Sequence, residues 1–237
     1  MIRFYAPDIE STLTLPESDS GHCVRVLRMR EGDELEAVDG RGHLFHCRLA
    51  EAHARHATVE ILSSEELTRV WPADITVAVA PTKNSDRIEW LVEKLVEIGV
   101  DRIVPLHCRH SERKNINVER LRKIAVSAMK QSLKAILPQI DDMTPFARYI
   151  ADEHSAGRFI AYCDPTIPRK LLAQQYVPGQ PTAILIGPEG DFDPAEIRLA
   201  LDSGWQPVTL GDNRLRTETA ALVACDTCHI INQLKLQ

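Results

Sequence analysis

The feature that most constrains the fold is an alternation of strand-like and helical patterns that begins at residue 74. Residues 75–80 are a short apolar run typical of a buried strand, and residues 88–98 repeat apolar side chains at the i, i+3, i+4 and i+7 spacing of one helix face. Further strand-like runs lie at 102–106, 158–162, 182–186 and 207–210. Strands that alternate with helices predict an α/β domain on a mainly parallel sheet.

The first 70 residues have a different pattern. Strand-like runs at 34–38 and 43–49 flank Asp39-Gly40-Arg41-Gly42, a glycine-rich hairpin signal, and residues 57–62 supply another strand. A short helix is expected over 16–29, and the polar stretch 63–69 is typical of a linker. The sequence therefore predicts two domains, a β-rich one at 1–70 and an α/β one at 73–237.

Charge is distributed unevenly along the chain. The net charge is −6, and residues 1–71 alone carry −5, whereas residues 109–134 hold eight basic side chains against two acidic ones, a net +6. A stripe of this kind is either a solvated helix face or a nucleic-acid surface. The sequence has no apolar run long enough for a membrane span and no signal-peptide pattern, so a cytoplasmic location is expected. In that reducing compartment the six cysteines are expected to stay free.

One candidate ligand loop follows the strand-like run 182–186. It reads Gly187-Pro188-Glu189-Gly190-Asp191-Phe192, and Asp193, Pro194 and Glu196 then form a strong helix start. Ligands of open α/β sheets bind beyond the carboxyl ends of strands, where glycine lets the backbone approach closely. The spacing matches neither the Rossmann fingerprint nor a P-loop, and a tight strand-to-helix turn explains it equally well.

A second candidate loop follows the run 207–210 and continues as Gly211-Asp212-Asn213-Arg214-Leu215-Arg216. Thr217 is expected to cap the apolar C-terminal helix. Arg214 and Arg216 then lie near the positive end of that helix, an arrangement suited to anions.

Together, the two loops carry a family resemblance. Leu185-Ile186-Gly187-Pro188-Glu189-Gly190 and Leu210-Gly211-Asp212-Asn213-Arg214-Leu215-Arg216-Thr217-Glu218-Thr219-Ala220 resemble the ribosomal RNA small subunit methyltransferase E family. Shorter blocks extend the similarity over most of the chain: His22–Arg28, Glu93–Val100, Ser111–Arg113 and Ala128–Ser132. Two positions depart from the family pattern, Asp191 in place of a further glycine and Ser132-Leu133-Lys134 in place of Ser-Gly-Arg.

The resemblance implies a PUA-like β-barrel RNA-binding domain followed by a SPOUT-type α/β domain with a C-terminal trefoil knot. It also implies S-adenosylmethionine as cofactor, no metal, a homodimer, and methylation of uracil N3 in 16S ribosomal RNA of the small subunit. The apolar residues Leu222, Val223, Ile230 and Ile231 of the last helix exceed what one covered face needs and give indirect support for the dimer. The cofactor contacts implied are Ile186, Gly187, Pro188, Glu189, Gly190, Leu210, Gly211, Leu215, Arg216, Thr217 and Thr219.

The implied chemistry assigns roles to three side chains. Arginine stays charged in proteins and is a poor base, so Arg216 is expected to stabilise negative charge on the uracil. Glu189 and Glu218 are the candidate bases for the N3 proton, although each is equally suited to holding its loop. The residues expected to contact RNA are Arg25, Arg28, Arg109, Arg113, Lys123, Lys130 and Gln131.

Several alternatives stay open at this point. Cys225-Asp226-Thr227-Cys228-His229 fits a haem-attachment pattern, but it lies within an apolar helix, where thiols more often fill cores. His107, Cys108 and His110 form a cluster that strand-end packing explains equally well. Two other functional classes stay open. One is a non-catalytic RNA-binding adaptor that retains the fold, and the other is an enzyme that binds nucleotide phosphates with the glycine loop.

Overall fold

A computed structural model describes residues 2–163 and 168–235. The chain divides into two compact units. The first comprises the described residues up to Arg69 together with Val126–Leu137, and the second comprises Val70–Ala125 and the described residues from Pro138 onward. No helix among the described residues is long and apolar enough to cross a membrane.

The first unit is built on a four-stranded sheet of order β1-β2-β3-β4. Its elements are β1 (Arg3–Tyr5), α1 (Ile9–Thr12), α2 (Glu17–Gly21), a π-helical turn (His22–Val26), β2 (Glu34–Val38), β3 (His43–Glu51) and β4 (Thr58–Glu66). The predicted hairpin is confirmed, since β2 and β3 pair in antiparallel register from Glu34↔Arg48 to Val38↔Leu44. Phe4, Leu35, Phe45 and Leu49 are fully buried between the sheet and the short helices.

Residues 126–137 belong to the first unit although they lie far beyond residue 70 in the sequence. Lys130 Nζ pairs with Asp19 Oδ1 at 2.7 Å. The backbone N–H groups of Gly42 and Leu137 donate to the carbonyls of Ala135 and Gly40 at 3.0 and 2.8 Å. These long-range contacts leave no pattern in the local sequence. The predicted domain boundaries therefore assigned this segment to the α/β domain at 73–237.

The second unit contains the remaining elements. They are β5 (Ile75–Val79), α3 (Ser85–Ile98), β6 (Arg102–His107), α4 (Val118–Gln131, which ends in the first unit), β7 (Gln139–Ile140), β8 (Thr144–Pro145), α5 (Phe146–Asp152), β9 (Gly157–Ala161), β10 (Lys170–Leu171), α6 (Leu172–Gln175), β11 (Thr182–Ile186), α7 (Pro194–Asp202), β12 (Gln206–Thr209) and α8 (Thr217–Lys235). Every strand pair identified in this sheet is parallel, which confirms the predicted α/β class.

The strand order of this sheet is β10-β12-β9-β11-β5-β6-β7, with β8 pairing to β6. β11 therefore lies between β5 and β9, and β12 lies on the other side of β9. Because the strands are parallel, the loops after β5, β9, β11 and β12 all leave the same edge of the sheet. This topology places the two candidate loops close together.

Polar side chains cap the N-termini of three helices in the second unit. Asn84 caps α3 by accepting from Asp86 N at 2.9 Å, and Asn117 accepts from Arg120 N at 3.0 Å at the start of α4. Asp193 and Glu196 form a complete capping box at α7, as the sequence predicts. Capped helix starts next to strand ends fix the loops between them.

Candidate functional site

The two glycines of the first loop, residues 187–192, serve different purposes. A Cβ on Gly187 would lie 3.1 Å from the Phe192 ring and 3.2 Å from the Phe192 backbone nitrogen, tighter than ordinary contacts, so packing favours glycine there. A Cβ on Gly190 would meet only His110 Cβ at 3.5 Å, an ordinary contact, and its φ lies outside the left-handed region. The fold therefore explains Gly187, whereas Gly190 is exposed and free of such a constraint.

Asp191, the departure from the family pattern, stabilises the first loop. It adopts a left-handed conformation with φ 64°, which aspartate tolerates better than most residues. Its carboxylate accepts hydrogen bonds from the backbone nitrogens of Phe192 at 2.9 Å and Cys163 at 2.7 Å. A glycine at this position would lose both of these bonds.

A third loop, residues 80–84 after β5, packs against the first. Glu189 Oε1 accepts a hydrogen bond from Lys83 N at 3.0 Å. The Arg113 guanidinium donates to the carbonyls of Thr82, at 2.9 Å from Nε, and Lys83. This loop was not predicted from the sequence, although its position after a buried strand at the same sheet edge was a usable signal. The Arg113 guanidinium, predicted to contact RNA, donates to this loop.

The second loop, residues 210–216, leaves its cationic side chains exposed. Gly211 has φ 126°, which favours glycine, and its nitrogen donates to Thr209 Oγ1 at 3.3 Å. Arg214 and Arg216 are exposed, and neither guanidinium bonds to another residue in the described part of the chain. Two unpaired arginines next to a helix N-terminus form a region of positive potential suited to an anion.

Thr217 joins the first and second loops. It is the first residue of α8 rather than the residue before the helix, and its buried hydroxyl donates to the Gly187 carbonyl at 3.1 Å. The expectation that it caps α8 is corrected accordingly, because helix geometry begins one residue earlier than the pattern indicated. This bond spans 30 residues of sequence and fixes the spacing of the two loops.

Glu218 is only 7% exposed, and its Oε1 lies 3.5 Å from Nη1 of Arg87 in α3. Its Oε2 has no hydrogen-bond partner among the described residues. A buried, ion-paired carboxylate is poorly placed to take a proton from a substrate, whereas Glu189 is exposed on its loop.

The other predicted cofactor contacts lie on or next to the same loops and differ in how far they are exposed to solvent. Ile186 and Pro188 are buried, while Leu210, Leu215 and Thr219 are half-buried. The structure brings all of the predicted cofactor residues to the ends of β11 and β12 and the first turn of α8.

The predicted RNA contacts fall into two groups. Lys130 is held by Asp19, and Arg109 lies 3.4 Å from Asp193 through its Nε. Lys123 is exposed and makes no ion pair within the described residues. The remaining exposed members of the predicted set are Arg25, Arg28 and Gln131.

The Cys-x-x-Cys-His pattern belongs to the core. Cys225, Cys228 and His229 are buried in α8, and burial raises the pKa of the Cys228 thiol to about 12. His229 Nε2 lies 2.5 Å from the Gly99 carbonyl, and its ring packs edge-on against Trp71. Among the described residues no group of three His, Cys, Asp or Glu side chains is arranged to hold a metal ion. The pattern is explained by packing of α8 on the end of α3.

Comparison with known families and proteins places this geometry in context. Residues 69–229 match the model of the RNA methyltransferase domain, and residues 15–62 match that of the RNA methyltransferase PUA domain. A relative from Synechocystis, named ribosomal RNA small subunit methyltransferase E, is 29% identical over 222 residues, which cover 91% of this chain and 72% of the relative. Both candidate loops lie within the longer match.

Two solved structures are similar to this chain over nearly its full length. The structure of a probable rRNA-methyltransferase from Porphyromonas gingivalis has 48% identity and a TM-score of 0.95, covering 99% of this chain and 100% of that one. A ribosomal RNA small subunit methyltransferase E from Neisseria gonorrhoeae, bound to S-adenosyl methionine, has 28% identity and a TM-score of 0.85, with 98% of each chain covered.

Proposed function

The chain belongs to the RNA methyltransferase domain family, and we propose that it transfers a methyl group from S-adenosylmethionine to N3 of a uridine in 16S ribosomal RNA. One observation carries the proposal more than any other. The loops that resemble the family lie at one sheet edge, joined by the bond from Thr217 to Gly187, with two unpaired arginines beside them. The relative from Neisseria gonorrhoeae, bound to S-adenosyl methionine, supports the cofactor.

The residues present fit this cofactor. Gly190 is exposed and not required to be glycine by the fold, and a Cβ on Gly211 would have no neighbour within 4 Å. Such positions let a ligand approach the backbone closely. We propose that the first loop, with Leu210, Gly211, Leu215, Thr217 and Thr219, holds the cofactor. When bound, S-adenosylmethionine supplies an electrophilic methyl group on a positively charged sulfur.

Catalysis by the protein then consists mainly of positioning and charge stabilisation. The N3 proton of uracil must leave before N3 attacks, and negative charge spreads onto the flanking carbonyl oxygens. Arg216 is free to donate to those oxygens because its guanidinium makes no bond to the described residues. Glu189 is the candidate base, since it is exposed on the loop, whereas Glu218 is buried against Arg87.

RNA is proposed to bind through cations that no carboxylate neutralises. Lys123 is the leading example, and Arg25 and Arg28 are exposed in the same way; the uncharged Gln131 is also exposed. Arg109 keeps 72% of its side chain exposed despite its contact with Asp193. Specific reading of RNA usually requires an unpaired base, so the uridine is expected to be turned out of its stack.

The remaining family properties are also proposals. The insertion of β11 between β5 and β9 is consistent with the trefoil knot. On α8, apolar surface for a homodimer is offered by Ile230 and Leu234, which are 48% and 70% exposed. A cytoplasmic location follows from a ribosomal RNA substrate. The substrate is proposed to be the RNA within the small ribosomal subunit.

Calorimetry and methyl transfer test the function. Titration with S-adenosylmethionine after EDTA treatment should give one site, while ATP should give none. Methyl-labelled S-adenosylmethionine should then label 16S RNA or small subunits in proportion to enzyme. Binding without transfer would indicate an adaptor, and binding of ATP alone would indicate a nucleotide-binding enzyme.

A further inference from the structure

We infer that Arg87 and Glu218 are positioning residues, whose ion pair fixes the first turn of α8 and thereby the backbone that carries Arg216. This inference rests on the proposed function. It concerns a contact between two helices, not a group that touches substrate or cofactor.

The position of Arg87 is the first observation. It lies in the first turn of α3, where the helix dipole disfavours a positive charge. Its Nη1 lies 3.5 Å from Glu218 Oε1. The carboxylate lies in the first turn of α8, where the dipole favours a negative charge. The pair thus joins the N-termini of two helices that both begin at the edge with the candidate loops.

The burial of Glu218 is the second observation. Its side chain is 10% exposed and that of Arg87 is 39% exposed, and Glu218 Oε2 has no hydrogen-bond partner in the described chain. Desolvation offsets much of the attraction in such a pair, so its contribution to the free energy of unfolding is expected to be small. A half-buried pair of this kind is better explained by the geometry that it fixes.

Arg216 lies two residues before Glu218. Its carbonyl accepts from Ala220 N at 2.7 Å, and the adjacent Thr217 is tied to Gly187. Since the Arg216 guanidinium makes no bond to the described residues, only its backbone is held before substrate arrives. A displacement of the first turn by about 1 Å can cost about a hundredfold in rate when it misplaces a catalytic group. The pair therefore acts on turnover through Arg216.

Arg87→Met, which keeps the length of the side chain, and the isosteric Glu218→Gln test the inference. Single-turnover methylation at saturating RNA should slow by about tenfold to a hundredfold. The dissociation constant of S-adenosylmethionine should change by less than about twofold, because neither residue is among the proposed cofactor contacts. Arg87→Lys should recover part of the rate. Arg198→Met, an exposed arginine on α7, is the matched control and should leave the rate unchanged.

A double-mutant cycle separates positioning from general structural damage. In the Arg216→Ala background, Arg87→Met should have little further effect on the rate. An equal slowing in both backgrounds, or an unchanged rate in Arg87→Met alone, would overturn the inference. Should Glu218→Gln not fold, the Arg87 variants complete the test. Failure of the proposed function appears separately, as a wild-type protein that transfers no methyl group.

Discussion

The first and second loops lie at the same sheet edge but are held in opposite ways. The first loop is tied at three of its residues: Gly187 to Thr217, Glu189 to Lys83, and Asp191 to Cys163. In the second loop the backbone is anchored by Gly211 and the start of α8, while Arg214 and Arg216 extend into solvent without protein partners. Rigid backbone is suited to binding a cofactor, and unpaired cations are suited to a substrate that carries charge.

Adjacent residues of one sequence motif can therefore have different functions. Within Arg216-Thr217-Glu218, the threonine joins the loops, the glutamate pairs with α3, and only the arginine is free. We therefore expect changes to the backbone of the first loop to act on cofactor binding, and changes to the Arg216 side chain to act on turnover. The following substitutions test that separation.

Arg216→Ala should have the largest effect. Turnover should fall by about two to three orders of magnitude, the scale seen when one oxyanion-type donor is lost. Affinity for S-adenosylmethionine should change far less, and Arg216→Lys should recover little, because a point charge cannot replace a planar two-pronged donor. Single-turnover kinetics with RNA in excess measures this. Full rate at saturating RNA would make Arg216 a binding contact instead.

Gly190→Val should act on cofactor binding and not on the chemical step. Affinity for S-adenosylmethionine should fall while the fold stays intact. A Cβ at this position would meet only His110, at an ordinary contact distance, so we expect the loss of affinity to reflect the ligand. We expect affinity for S-adenosylmethionine to fall at least about tenfold, or 1.4 kcal/mol. Gly187→Ala is the contrasting variant, which should destabilise the fold by about 1–3 kcal/mol through overpacking against Phe192. Normal calorimetric affinity in folded Gly190→Val would remove this residue from the site.

Lys123→Ala should weaken RNA binding without changing the chemical step. Loss of one phosphate contact reduces the slope of log affinity against log salt by about 1. Arg122→Ala, on the same helix but paired with Glu119, is the matched control and should change the slope less. Fluorescence anisotropy over a salt series gives both slopes. Identical slopes for wild type and Lys123→Ala would show that Lys123 contacts no phosphate.

Thr217→Val should have the smallest effect. It keeps the shape but removes the hydroxyl that reaches Gly187, leaving a buried carbonyl without its donor. The free energy of unfolding should fall by about 1 kcal/mol in urea titrations. No change in stability would indicate that the two loops are held without this bond.

Local patterns predicted much of the fold. The five longer strands of the parallel sheet, the Asp39–Gly42 hairpin and the capping box at Asp193 are confirmed because periodicity and turn chemistry are local properties. The attachment of residues 126–137 to the first unit was not predictable in this way, since the bonds from Lys130 to Asp19 and from Gly42 to Ala135 join distant parts of the chain.

The site shows the same limit. Motif resemblance located the first and second loops, but it gave no indication that Arg113 holds the third loop or that Arg87 pairs with Glu218. A count of charges also gave no indication that Lys130 pairs with Asp19. Partners of charged side chains depend on tertiary contacts, which a count of basic residues does not contain.

Nucleoside mass spectrometry tests the central claim most directly. Small ribosomal subunits from cells that lack this enzyme are incubated with the protein and S-adenosylmethionine carrying a heavy methyl group, and their 16S RNA is digested to nucleosides. We expect one new product, 3-methyluridine bearing the heavy label, with the yield strongly reduced in Arg216→Ala. A label on another base or another uridine atom, or no label in RNA that the protein binds, would contradict it.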